Sequence, residues 1–197
     1  GVVAEKTGSA LAAYNRASQL AVRVLEAWNA ATGRADQTLE RAMTSAPDAV
    51  ARMRNVLDRS TAPEFPATVL RNRFEQFRTE SLDIVPAASE ALRAGDLTRF
   101  GLLVDRSQEA AEKWLGNQIA ETITLARSAR EAGAVAASAF GAGFGGSVWA
   151  IVPEDEVPRF SEAWSAAYRA AHPEAASRAT FFETRPGPSA RRIEHLS

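Results

Sequence analysis

The stretch Ser138-Ala139-Phe140-Gly141-Ala142-Gly143-Phe144-Gly145-Gly146-Ser147, followed by Val148-Trp149-Ala150-Ile151-Val152, decides how the rest of the chain is read. Four glycines fall within positions 141–146. Without a Cβ, glycine takes positive φ at little cost and lets other groups approach the backbone closely. Successive amides in such a turn can form a concave anion site suited to a phosphate. Gly141, Gly143 and Gly146 match the literal spacing of the dinucleotide fingerprint. That fingerprint, however, requires a strand before it and a helix after it. Here the β-branched and aromatic run Ser147–Val152 reads as a buried strand. No Gly-Lys-Ser/Thr closes the loop, so it is not a P-loop. With the small, apolar run Ala134–Phe140 before it, the loop lies between two strands of one sheet. Local physics leaves two readings: a hairpin turn that only shapes the backbone, or a loop placed beside a phosphate.

Upstream, the chain reads as helix. From Ser9 onwards, Leu11, Tyr14, Ala17, Ala21, Val24 and Trp28 recur at three- and four-residue spacing, which puts them on one face of a long helix stopped by Gly33. Asp36 is expected to cap a short helix through about Met43, and Pro47 to open another through Val50, Met53, Val56 and Leu57. Ala62-Pro63-Glu64-Phe65-Pro66 is a break. A second stripe follows (Leu70, Phe74, Phe77, Ser81, Ile84, Ala88, Leu92), which Pro86 should kink or split. Gly95-Asp96 reads as the stop of one helix and the cap of the next, and Gly116-Asn117 repeats the punctuation. A helix carrying Ile119, Ile123 and Ala126 ends at Gly133. Downstream of the loop, Val157, Phe160, Trp164 and Tyr168 form a helical stripe ending near His172-Pro173, and Thr180–Thr184 reads as a last strand. The fold class is α+β: several helices on one face of a small, mostly antiparallel sheet.

Composition excludes several functions. Apolar residues make up 46% and charged residues 24%, with a net charge of -1. That balance lacks the basic excess of a nucleic-acid footprint. No apolar run approaches the roughly 20 residues of a membrane span. There is no cysteine, and the two histidines, His172 and His195, lie far apart in sequence, as surface histidines would. A cytoplasmic location is the default expectation. The chain opens on Gly1-Val2-Val3 rather than on Met, with no visible signal peptide, and a strand-like pair at the start reads as a fragment boundary.

Ser138–Ser147 resembles the third conserved motif of the GHMP kinases, and its Gly-Ala-Gly-Phe-Gly-Gly form is most similar to that of galactokinases, whose usual Cys is Ser147 here. The surrounding order is similar as well. Gly95-Asp96 and Phe100-Gly101-Leu102-Leu103-Val104-Asp105-Arg106-Ser107-Gln108 resemble a "Gly-Asp … Phe-Gly-x-Leu-Met-x-x-Ser-His" region. Arg73 through Glu80 resembles Arg-x-x-His-x-x-x-Glu, Tyr14-Asn15-Arg16 resembles a Tyr-centred segment, and Ser189-Ala190 resembles a "Gly-Ala" tail. Gln76 and Gln108 stand where the family has His, and the Arg after Tyr14 is shifted by one position, so the branch is divergent and its sugar need not be galactose.

The resemblance implies one GHMP kinase C-terminal domain over 1–197, with a ferredoxin-like small antiparallel sheet and several added helices. It implies that Gly141, Ala142, Gly143, Phe144, Gly145, Gly146 and Ser147 lie beside the ATP phosphates, and that Tyr14 lines a sugar pocket. On the residues alone, Tyr14 is equally a core aromatic on the stripe with Leu11 and Trp28. ATP and Mg²⁺ would be held mainly by an N-terminal half that carries the Gly-Leu-Ser-Ser phosphate loop and the catalytic Asp, strings this chain lacks. No catalytic residue is assigned here. Glu80 and Asp105 read as carboxylates on a solvated helix face. An apolar surface is expected near the loop and Tyr14, facing that other half or a second copy in a homo-oligomer. The alternative is a stand-alone, non-catalytic binding or assembly domain of the same ancestry.

Overall fold

The structure is a computed structural model, and it describes residues 1–4, 11–60 and 64–187. Ser9, the Ala62-Pro63 part of the break, the Ser189-Ala190 tail and His195 lie outside them. The first stripe forms α1 (Leu11–Thr32), which buries Leu20, Val24 and Trp28 and ends before Gly33 at φ 67°. Around this face close α2 (Leu39–Met43), α3 (Ala49–Asp58) and α4 (Ala67–Arg78), contributing Met43, Met53, Leu57, Leu70 and Phe74. Each such side chain adds about 1.5–3 kcal/mol when fully buried.

Two expected caps fall elsewhere. Thr38, not Asp36, caps α2, its Oγ1 accepting from the Arg41 amide at 3.2 Å. The Asp36 carboxylate is occupied by Arg34 at 2.7 Å and by the Trp28 indole N–H at 3.0 Å, which together hold its pKa below the usual value. Pro47 precedes the α3 cap residue Asp48 rather than entering the helix.

Pro86 does not split its helix. The ladder widens to a π turn over Thr79–Ile84 and then resumes as α5 (Val85–Ala94). A proline has no amide to donate and crowds the carbonyl four residues back, and the wider π register just before it absorbs both. Gly95 then ends α5 at φ 69°, and Asp96 caps α6 (Leu97–Ala110) by accepting from the Arg99 amide at 2.9 Å. A second π turn, Ala111–Leu115, closes α6 at Gly116.

After α7 (Ala120–Glu131) come two antiparallel strands, β1 (Ala136–Ala139) and β2 (Val148–Ile151), with Ala136 opposite Ile151 and Ala139 opposite Val148. The α6 helix lies close against β1 because residue 101 is glycine: a Cβ there would stand 2.1 Å from the Val135 carbonyl oxygen. Arg130 ties the same corner, binding Asp105 with two contacts at 2.8 and 3.0 Å and donating to the carbonyls of Ala134 and Val135. Asp105 is therefore a structural ion-pair partner and not a solvated carboxylate. A second core gathers Ala129, Ala134, Ala137 and Phe160, the last from α8 (Val157–Ala171). The short α9 (Pro173–Ala176) follows.

The α+β class with a small antiparallel sheet and added helices is what forms. Thr180–Thr184, expected as a last strand, forms none. Phe181 instead packs its ring on Trp164 (5.2 Å) and Tyr168 (6.1 Å) of α8, so its apolar surface is satisfied by a helix without a strand ladder.

Candidate functional site

The glycine-rich stretch connects β1 to β2, closed by a hydrogen bond from the Phe140 amide to the Ser147 carbonyl at 2.8 Å. Five of its residues have positive φ: Gly141 (83°), Gly143 (89°), Phe144 (59°), Gly145 (122°) and Gly146 (92°). Four are glycines, for which this is cheap. Phe144 is the exception, and a bulky side chain in the left-handed region is a conformational outlier.

Three segments hold this shape. Asn117, which sequence reading treated only as punctuation, is buried beneath the loop. Its carbonyl accepts from the Phe144 amide at 2.6 Å, and its Nδ2 donates to the Ala142 carbonyl at 3.0 Å. The approach is so close that a Cβ on residue 143 would lie 2.1 Å from the Asn117 oxygen. Val2 accepts from the Gly146 amide at 2.9 Å. Tyr14 donates its hydroxyl proton to the Gly143 carbonyl at 2.8 Å, and the Phe144 ring meets it edge to face at 5.1 Å. Tyr14 is half-buried, and Leu11 one turn earlier is 44% exposed. The α1 stripe thus outruns its core, and its far end grips the loop.

The loop is anchored on one side and open on the other. Gly143 and Gly145 are buried, whereas Gly141, Ala142, Gly146 and Ser147 are exposed. Phe140, at 68% exposure, and Val3, at 75%, form apolar surface flanking it. No ionisable side chain lies in residues 138–147, so any pull on an anion comes from backbone dipoles. The amides of Phe144 and Gly146 already point at protein carbonyls and are removed from that role.

Behind β1 runs a polar seam. Buried Gln108 accepts at Oε1 from the Ser138 hydroxyl and the Ala139 amide, both at 2.9 Å, and donates from Nε2 to Glu112 at 2.8 Å. Half-buried Glu80 accepts from Ser107 at 2.6 Å. Each π turn thus supplies one carboxylate to this seam, and Glu80 is not on a solvated face. Arg73 bonds Gln76 and lies over Phe77, while its Nε finds no partner among the described residues; burial lowers its pKa. Arg73, Gln76, Glu80 and Gln108 therefore organise the helices and β1 at the foot of the loop. Among the described residues no three His, Cys, Asp or Glu side chains converge to hold a metal ion, and no helix is long and apolar enough to cross a membrane.

Residues 88–170, which include Gln108, Asn117 and the whole loop, match the family described as GHMP kinases C terminal. A galactokinase of Enterococcus faecalis is 37% identical over 83 residues, which are 42% of this chain and 21% of that protein. A galactokinase of Ligilactobacillus salivarius is 42% identical over 76 residues, 38% of this chain and 20% of that one. The crystal structure of Lactococcus lactis galactokinase complexed with galactose superposes with a TM-score of 0.65 at 24% identity, over 87% of this chain and 40% of that chain. This last likeness concerns the fold, and it extends to the α1–α4 region that the sequence matches need not reach. The chain carries a GHMP kinase C-terminal domain within a fold shared with galactokinase.

Proposed function

We propose that this chain is the C-terminal part of an ATP-dependent kinase for a galactose-like sugar. In this reading Gly141–Ser147 lie beside the nucleotide phosphates and Tyr14 lines the sugar pocket. The observation that carries it is the loop's one-sided anchoring: Asn117, Val2 and Tyr14 fix it from within, leaving Gly141, Ala142, Gly146 and Ser147 open. Phosphoryl transfer depends on positioning and on stabilising spread negative charge. A rigid turn of amides offers the first and part of the second.

The chain spans 40% of the galactokinase whose fold it shares, and its matched stretches are 21% and 20% of the two curated relatives. An upstream half is the partner of this reading, and the Phe140–Val3 surface faces it. That half supplies the Mg²⁺ ligands and the catalytic groups, since the loop has no carboxylate. What this chain contributes is the shape of the loop and a wall of the sugar pocket. The location that goes with this role is the cytoplasm.

A second reading, a non-catalytic binding module, is favoured by Gln76 and Gln108 standing where galactokinases carry His. ADP release with Mg-ATP and a sugar panel, on this chain and on the full-length product, separates the two. Turnover by the full-length product alone supports the kinase part and names the sugar. Silence from both supports the module.

A further inference from the structure

Phe144 holds a backbone conformation that an aromatic residue does not adopt unaided, so the surroundings must impose it. Asn117 secures the Phe144 amide, but it comes from the turn that ends α6 and packs under the same hairpin. The only anchor from the α1 face is Tyr14, 129 residues away from Gly143 in sequence. It acts at two adjacent points: the hydroxyl holds the Gly143 carbonyl at 2.8 Å, and the ring braces Phe144 at 5.1 Å. A tyrosine that has donated its proton keeps acceptor lone pairs on the same oxygen. A hydroxyl donating to that oxygen polarises the O–H bond and strengthens the donation onward, as chains of hydrogen bonds do.

We propose that Tyr14 is a positioning residue that couples the two halves of the site: it holds the glycine-rich loop through Gly143 and Phe144, and a sugar hydroxyl bound at its oxygen tightens that hold, so that sugar favours nucleotide binding and nucleotide favours sugar. The reciprocity follows from linkage. The sugar side of this coupling rests on the kinase reading; the grip on the loop does not.

Tyr14→Phe keeps the ring and removes the hydroxyl. Hydrogen exchange on this chain reads the grip with no activity required. Exchange at the Phe144 and Gly146 amides is expected to quicken about fivefold in the variant, the effect of one lost hydrogen bond, while Met53 in the α1–α4 core is unchanged. Equal exchange at Phe144 in both proteins overturns the proposal. Kinetics of the full-length product with ATP and galactose read the coupling. Saturating galactose is expected to lower the KM for ATP about fivefold in the wild type and not in Tyr14→Phe, with kcat much less affected. A purely structural tyrosine would leave that synergy in place. Synergy that survives the substitution, or a wild type without any, overturns the coupling. A full-length product that phosphorylates no sugar overturns the kinase reading and the coupling together, and the exchange result on this chain still decides the grip.

Discussion

The two regions of the molecule are built on opposite principles. The α1–α4 region is held by large side chains: Trp28, Met53, Leu57 and Phe74 are completely buried against one another. The region from α6 to α8 is held by small ones. Its core residues are mostly alanines, a glycine brings α6 onto β1, and polar side chains such as Gln108, Asn117 and Arg130 bond directly to backbone. Bulk fills space in the first region, and the absence of bulk lets backbones meet in the second. The region that carries the loop is the one where main-chain geometry is set most tightly.

Opposite substitutions should therefore damage the two regions. Trp28→Ala, a loss of volume, is expected to cost about 3–5 kcal/mol in urea unfolding. If it costs no more than a surface change, bulk is not what holds α1–α4. Gly101→Ala adds a single methyl, yet it must displace the Val135 carbonyl and should cost about 1–3 kcal/mol by the same measurement.

Gly143→Ala meets an equal 2.1 Å approach to Asn117 and adds a positive φ. The loop has an open side and can peel away, so the global cost is expected at about 1–2 kcal/mol. The Phe144 amide should lose its exchange protection. An unchanged Phe144 amide would show that Asn117 does not set the loop.

The gentlest test concerns charge. Glu75 is bound first of all by Arg54, then by Arg71 and Arg78, and its pKa falls to about 2. A carboxylate depressed in the folded state stabilises above its unfolded pKa, and that contribution is lost as pH falls from about 4.5 toward about 2. Glu75→Gln should lower stability at pH 7 by about 1 kcal/mol and flatten the acid limb of the stability profile. An acid limb identical to that of the wild type would place the acid sensitivity elsewhere.

The parts of this design that repeat were legible in the sequence. The α1 stripe, the Gly95-Asp96 and Gly116-Asn117 junctions, the strand after the loop and the α8 stripe all follow from periodicity or from glycine and capping chemistry. The contacts that bond one side chain to a distant backbone were not legible, because they have no period. Asn117 looks like any residue after a glycine until the hairpin folds over it, and Asp105 looks solvated until Arg130 arrives from 25 residues later. Thr180–Thr184 has the composition of a strand, but composition does not say whether Phe181 will meet a sheet or the side of α8. Tyr14 was legible as a residue worth singling out and not as a contact of the loop, since nothing local joins α1 to Gly143.

The π turn over Thr79–Ile84 has a consequence for the register of the helix that contains it. A π turn accommodates one residue more than the α-helix would over the same span, so it behaves as an insertion absorbed without a break. Removing one residue from it would restore an unbroken α-helix and rotate everything downstream by about 100°. Ala91 and its neighbours on α5 would swing out of contact with Leu103, and exposed Val85 and Leu92 would be carried to a new azimuth. Length variation at this point is therefore a rotary adjustment, turning the α5–α6 arm relative to α4 while leaving every hydrogen-bonded turn on either side intact.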